Sequence, residues 1–299
     1  MSLPRLATFV ASITAFILAV SKVIVGIMTG SVAVIASAID SLLDMVISIF
    51  NNIAVKISES KPDEKYNYGK GKIEGVAALF EGLFISGSGL YIIYESIKKI
   101  INHEKIVNIE YSIYVMLFSM IMTLCLVVFL AYVVKKTNHL IIKSDLLHYK
   151  TDLLTNGAVL ISLIIIKFTG FYYIDFILSI LIGTYIIKEA SKIIKDGLDV
   201  ILDASLDFEI VEKIKEIIKK EPLVLDYHCL RTRKAGHRNF VDVHIVLTPD
   251  MKLKLAHTIV EKIEEKIREL DPKKRWIINI HADPYDDSHI NKLQEECEE

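Results

Sequence analysis

The chain has 299 residues, a mean hydropathy of +0.42, 52% hydrophobic and 24% charged residues, and a formal net charge of −2. So apolar a composition excludes a wholly water-soluble globule, and an ordinary charged fraction beside it requires the two kinds of residue to be segregated along the chain. The near-zero balance, with no basic stripe, gives no sign of a nucleic-acid partner. Cys125, Cys229 and Cys297 stand far apart with no CxxC pair, so neither a disulfide framework nor a thiolate metal site is expected.

Six apolar stretches follow one another at about 7–28, 32–57, 75–100, 111–135, 145–168 and 172–194, each about the ~20 residues needed to cross a bilayer as a helix. The first has an apolar core well beyond the ~7–15 residues of a secretory signal and no small-residue cleavage site after it, so it reads as a retained helix. Lys56, Lys61, Lys65, Lys70 and Lys72 between the second and third stretches, with Lys135, Lys136 and Lys143 between the fourth and fifth, make eight positive charges. The opposite loops hold four, Lys98, Lys99, Lys105 and Lys167. The positive-inside rule therefore predicts a multi-pass protein of the inner or plasma membrane with both termini in the cytoplasm.

Within this region Asp40 and Asp44 lie in SVAVIASAIDSLLDMVISIF, and His148 and Asp152 in SDLLHYKTDLLTNGAVLISLIII. Each pair is spaced i, i+4 and projects from one helix face, one turn apart. An ionisable group in hydrocarbon is costly enough that a function is the default reading. Three carboxylates and an imidazole can complete a four-ligand site for a divalent metal.

Beyond about residue 200 the pattern becomes that of a soluble domain. DFEIVEKIKEIIKKE places Ile210, Val211, Ile214, Ile217 and Ile218 on one helix face, and Pro222 ends it. LVLDYHCLRTRKAG and HRNFVDVHIVLTPD read as two strands joined near Gly236, followed by an amphipathic helix over about 252–270 and a strand, RWIINIHADP. The order αββαβ predicts a small open sheet with both helices on one face. Domain bounds are expected at 1–202 for the membrane part and 203–290 for the α+β tail, with 291–299 an acidic end. His228, His244, His257, His281 and Asp283 punctuate the tail, and His281 and Asp283 share a strand face. Carboxylate with imidazoles suits zinc or a neighbour in the series.

Over residues 8 to 285 the chain resembles the cation diffusion facilitators, on the pairing of AIDSLLD with HYKTD, the stretch YGKGKIEGVAALFEGLFISGSG, and the tail elements HCLRTRKAG and NIHADP. The resemblance implies six transmembrane helices, a cytoplasmic domain of metallochaperone-like fold, and homodimeric export of Zn²⁺ and similar ions driven by proton entry. It implies a transport site at Asp40, Asp44, His148 and Asp152, and a two-metal cytoplasmic cluster at His228, His244, His257, His281 and Asp283. It also implies a salt bridge between Lys72 and Asp203 at the membrane surface and a dimer contact involving the small-residue run Gly82, Ser86, Gly87, Ser88 and Gly89, whose alternative is packing within one protomer. His148 tilts the metal toward zinc, with iron(II), cadmium and manganese open as alternatives. One departure stands out: a further loop site of the family needs an acid and two histidines, and here Asp63 is followed by Tyr66 and Lys70. A lysine ammonium has no lone pair to donate, so that site is expected to be absent.

Metal ligands must be deprotonated, which makes metal loading and proton release two sides of one exchange. His148 is the natural pH-responsive member. Asp145, Asp175 and Asn156 are candidates to balance the charge of a loaded three-acid site, or else end-of-helix residues. A metal sensor anchored by its helices and an intramembrane metallohydrolase are the competing functions. An anchor does not need four intramembrane ligands, and no HExxH motif accompanies the acids.

Overall fold

A computed structural model describes residues 2–29, 32–102, 112–169, 173–272 and 274–287. The acidic end and some helix side chains, those of Asp40 and Asp175 among them, lie outside the described residues. The chain forms two compact units, Met1–Leu198 and Asp199–Glu299.

The first unit is built from α1 (Leu3–Thr29), α2 (Val32–Ser58), α3 (Ile73–Asn102), α4 (Ser112–Thr137), α5 (Leu140–Thr169) and α6 (Tyr173–Ile201). Among the described residues four segments are apolar and long enough to cross a bilayer, Leu3–Val25, Ser41–Ser58, Ile73–Lys98 and Leu117–Thr137. At 30 and 29 residues, α5 and α6 are long enough too, since a helix rises about 1.5 Å per residue. Two helices outrun their apolar stretches. α5 begins at Leu140 rather than near 145, and α6 continues to Ile201 rather than ending near 194. The added turns carry Lys143, Ser144, Lys195, Asp196 and Asp199, so a window tuned to hydrocarbon length stops before the hydrogen-bond ladder does. Phe16, Phe80, Leu83, Tyr91, Val128 and Leu181 are exposed on the helices, as lipid-facing side chains are.

Asn138 separates α4 from α5. It adopts φ 47° while its N–H donates to the Val134 carbonyl at 2.8 Å, a left-handed cap that ends one helix and reverses the chain within two residues. Ala7, Ala11, Ala54 and Ala77 bring helices close around Leu126, Leu130, Val133, Ile141, Ile142 and Tyr149 in the main buried cluster.

The small-residue run of α3 divides between two surroundings. A Cβ on Gly82 would meet Ile194 Cγ1 at 2.8 Å and the Ala190 carbonyl at 3.4 Å, and one on Gly89 would meet the Gly183 carbonyl at 3.1 Å. A Cβ on Gly197 would meet the Gly75 carbonyl at 2.9 Å. Gly75, Gly82 and Gly89 thus run against Gly197, Ala190 and Gly183, each set at heptad spacing, as an antiparallel seam between α3 and α6. Gly87 has nothing within 4 Å of its would-be Cβ. Gly82 and Gly89 therefore serve packing within the protomer, and Gly87 is open.

The second unit follows the order α7 (Phe208–Lys219), β1 (Asp226–Ala235), β2 (Arg238–Val246), α8 (Leu253–Glu269), β3 (Arg275–Asp283). The sheet order is β1-β2-β3, with β1 antiparallel and β3 parallel to β2. Gly236 takes φ 63° in the two-residue hairpin turn, a conformation that glycine adopts without Cβ strain. Ile214 and Ile218 of α7 and Ile259, Ile263 and Ile267 of α8 bury against Val241, Val243 and Ile245. Each such side chain contributes about 1.5–3 kcal/mol of burial. Both helices thus share one face of the sheet and leave Asp242 and His244 on the other. The buried Glu221 carboxylate, 2.9 Å from Lys262 Nζ and 3.5 Å from Lys266 Nζ, ties the end of α7 to α8.

Cys229 is disulfide-bonded, a pairing the cysteine spacing does not announce; its partner lies outside the described residues. It also adopts φ 53° within a bulge, where His228 opposes His244 but Arg231, not Leu230, opposes Asp242. The extra residue lets Tyr227 and Leu230 both pack toward the helices while His228 points away from them.

Candidate metal centres

The i, i+4 pairs of α2 and α5 meet inside the first unit. His148 Nε2 lies 3.1 Å from Asp44 Oδ1 and 3.8 Å from Asp152 Oδ2, and the three ligand atoms lie within 4.8 Å of one another. Metal bonds of about 2.0–2.1 Å set the edges of a tetrahedron near ~3.3 Å, so these separations suit one small divalent ion. Asp40 lies on α2 one turn before Asp44, its side chain outside the described residues. His148 is buried, and the Tyr149 and Phe84 rings flank it at 5.3 and 6.2 Å. Tyr149 OH meets Ser48 Oγ at 2.6 Å, so the residue beside the imidazole clamps α5 to α2 one turn below Asp44.

Asp44 and Asp152 open onto a cavity of about 160 Å³ lined also by Lys22, Ser41, Thr155 and Asn156. Hydroxyls, an amide, carboxylates and one ammonium line it beside Ala15 and Leu18, a mostly polar chamber in an apolar unit. Asn156 therefore faces the site's chamber. Lys22, whose Nζ donates to Ser41 Oγ at 2.8 Å, is a lining residue that the pattern of acid pairs does not disclose.

Asp145 is neither a ligand nor a helix cap. α5 starts earlier than its apolar stretch, which places Asp145 well inside the helix, fully buried. Its Oδ1 accepts from Asn51 Nδ2 at 2.9 Å, and the same amide donates to Glu81 Oε2 at 3.0 Å. A second buried pair joins Glu74 Oε1 to His139 Nε2 at 3.2 Å. The rule that flags Asp40 and Asp44, a charge within hydrocarbon-like sequence, applied to α1 and α3, finds Lys22 and Glu81 as well.

In the loop between α2 and α3, where no metal site is expected, the Asp63 carboxylate is already engaged by its neighbours. Lys70 Nζ donates to Asp63 Oδ2 at 2.7 Å, and the Lys65 and Tyr66 N–H groups donate to Oδ1 at 3.1 and 2.7 Å. The Lys70 ammonium, then the Tyr66 N–H, holds the Asp63 carboxyl below the ordinary carboxylate range. Lys70 also lies 4.7 Å from the Tyr66 ring centroid. A tethered cation already occupies the place of an ion.

In the second unit strand register aligns three histidines. His228 opposes His244 and His244 opposes His281 across β1, β2 and β3, with ring centroids 5.0 and 4.7 Å apart. Asp283, buried, reaches all three: Oδ2 lies 3.0 Å from His244 Nδ1 and 3.6 Å from His228 Nε2, and Oδ1 lies 3.0 Å from His281 Nε2. A carboxylate divided in this way can bridge two ions. Asp287 adds a further oxygen 2.9 Å from His228 Nε2, and His228, His244, Asp283 and Asp287 form a four-ligand group within 4.8 Å. Its signal in the sequence is an acid four residues after Asp283. His257 is not in this group; it lies on α8, 69% exposed in its side chain and 3.4 Å from Glu261 Oε1. Asp203 takes φ 58° and pairs with Arg233 Nη1 at 3.2 Å.

Comparison with known proteins finds matches for both parts of the chain. Residues 8–202 match the cation efflux transmembrane domain, and residues 206–285 match the cytoplasmic domain of cation efflux proteins. The cation-efflux pump FieF of Pectobacterium atrosepticum is 35% identical over 282 residues, 94% of this chain and 93% of the relative. FieF of Yersinia enterocolitica is 33% identical over the same shares. Among solved structures, the metal-bound C-terminal domain of the CzcD transporter from Thermotoga maritima is 23% identical, covers 25% of this chain and 87% of its own, and has a TM-score of 0.24. The cytosolic domain of a cation diffusion facilitator family protein is 24% identical, covers 25% and 89%, and has the same TM-score of 0.24. Two matched domains in the order the helices and strands require, and relatives similar along nearly the whole chain, place this protein in the cation efflux, or cation diffusion facilitator, family of membrane metal transporters.

Proposed function

We propose that the protein exports Zn²⁺ from the cytoplasm in exchange for protons, through a site made by Asp40, Asp44, His148 and Asp152. The observation that carries this reading is the convergence of Asp44, His148 and Asp152 from two helices, with the two carboxylates lining one chamber. One imidazole among carboxylates favours zinc, with Fe²⁺ and Cd²⁺ its nearest rivals. The same ligands bind either protons or metal, so the two exchange at one place. His148, the member whose ordinary titration range is nearest neutrality, is assigned the coupling.

The protein works as a homodimer in the plasma or inner membrane with both termini in the cytoplasm. The match of residues 206–285 to the cytoplasmic domain of cation efflux proteins and the eight lysines on the even loops support this arrangement. We assign 1–202 to the membrane and 203–290 to the tail. There His228, His244, His281 and Asp283 hold one or two metal ions, with His257 reaching a second protomer's cluster. Lys72 and Asp203 brace the membrane surface.

Metal competition in proteoliposomes tests the proposal. With Zn²⁺, Cd²⁺, Fe²⁺ and Mn²⁺ offered together under an imposed pH gradient, Zn²⁺ flux dominates and collapses with the gradient. Flux that ignores the gradient removes the proton exchange, and a preference for another ion removes the zinc assignment.

A further inference from the structure

Glu81, Asn51, Asp145 and Ser144 form a polar cluster at the meeting of α2, α3 and α5, and none of them is a proposed metal ligand. Asn51, Ser144 and Asp145 are 0% exposed and Glu81 is 3% exposed. The Asn51 amide donates one hydrogen to each carboxylate. That accounts for one oxygen on each acid and no more. Glu81 Oε1, Asp145 Oδ2, Asn51 Oδ1 and Ser144 Oγ have no hydrogen-bond partner among the described residues, although Ser144 faces Glu81. Four buried polar atoms of one cluster left unmet call for an occupant.

The groups facing Glu81 are Asp145, Ser144, Asn51 and, toward the metal centre, His148; Asp145 also faces Tyr149. None is a lysine or arginine. Two carboxylates clasping one amide in the interior sit with no lysine or arginine among the groups facing them. Like charges so placed do not both persist. A proton bound to a carboxyl oxygen needs no cavity of its own, and acids of this kind inside transporters serve as proton relays.

We propose that Glu81 and Asp145, clasped by Asn51, hold one shared proton that leaves when a divalent ion loads at Asp44, His148 and Asp152. This rests on the metal site proposed above. Asn51 lies two turns after Asp44 on α2, and Asp145 one turn before His148 on α5, so the station is on the side of the site nearer the lysine-rich loops. An arriving ion brings two positive charges within a turn or two of the station, and the proton departs to water on that side. The only bond broken is the O–H of the acid. Because Glu81 belongs to α3, the clasp also ties the two site-bearing helices to a third helix that carries no metal ligand.

Infrared difference spectroscopy of the full chain in lipid, before and after Zn²⁺, reads the proton directly. The expected result is a carboxylic-acid C=O band before Zn²⁺ that disappears on loading, is missing from both Glu81→Gln and Asp145→Asn, and returns in Glu81→Asp. Proton release per Zn²⁺ bound, in weak buffer, falls by about one in Glu81→Gln, while Zn²⁺ affinity stays within about threefold of the wild type. A wild-type spectrum without the band overturns the proposal, as does a band of equal size in both neutral variants. The spectrum before Zn²⁺ reports the station alone and Zn²⁺ binding reports the metal site, so the two readings fail separately.

Discussion

Replacing Asp44 with Asn leaves the side chain's shape and removes one anion from the proposed transport site. Its Oδ1 lies 3.1 Å from His148 Nε2, and the carboxylate is partly exposed to the chamber it lines. Removing one member of a fully buried charge pair costs about 2–5 kcal/mol. Because this carboxylate is open to the chamber, the lower end applies, about 2–3 kcal/mol. At about 1.4 kcal/mol per tenfold this is roughly a 30- to 150-fold weaker Zn²⁺ Kd. Asp63→Asn is the control, since that carboxylate is exposed and already answered by Lys70. It should move the Kd by less than about threefold, the scale of an exposed pair. Calorimetric titration of the purified full chain, with Zn²⁺ flux in proteoliposomes, makes the comparison. A wild-type Kd and flux in Asp44→Asn, or an equal loss in Asp63→Asn, would refute the placement of the site.

Lys72→Glu should slow Zn²⁺ flux in vesicles while the Kd stays that of the wild type, because the proposed contact with Asp203 braces the protein rather than binding the ion; normal flux removes that contact. Gly183→Ala should lower the melting temperature of the purified protein, since the new Cβ meets Ile93 Cγ1 at 2.7 Å and the Gly89 carbonyl at 3.0 Å. Overpacking of this kind costs about 1–3 kcal/mol. Gly87→Ala, with open space around it, should leave the melting temperature unchanged. Asp287→Ala should weaken the tail's Zn²⁺ site by about tenfold or more, the effect of about 1.4 kcal/mol, read by Zn²⁺ titration in an Asp44→Asn, Asp152→Asn background. An unchanged tail affinity removes Asp287 from the ligand set.

The local parts of both candidate metal centres were legible in the residues. Asp44 and the pair His148 and Asp152 declared themselves because a helix maps i and i+4 onto one face, and because charge in hydrocarbon is costly enough to demand a use. The αββαβ order of the tail followed from its periodicities. Some alternatives stayed open in the sequence for a reason of the same local kind. Asp145 looked like an end residue because its apolar stretch starts there, yet the helix starts at Leu140. Gly82 and Gly89 left a dimer contact and packing within one protomer both open, because a small residue reports only that something approaches closely. Here the approach comes from α6.

What the sequence determined by itself, then, is the set of helices and strands and the face on which each reactive side chain projects, because those follow from neighbours within a turn or two. Tertiary structure alone decided which faces meet. It brought Asp44 of α2 to His148 of α5, a contact spanning more than a hundred residues of chain. It aligned His228, His244 and His281 through strand register, with a bulge at Cys229 that turns one side of β1 to the core and leaves the histidine outside. It closed Glu81 and Asp145 around one amide. No local period encodes such meetings. They are fixed by how close two backbones come and by which buried polar groups can satisfy one another there.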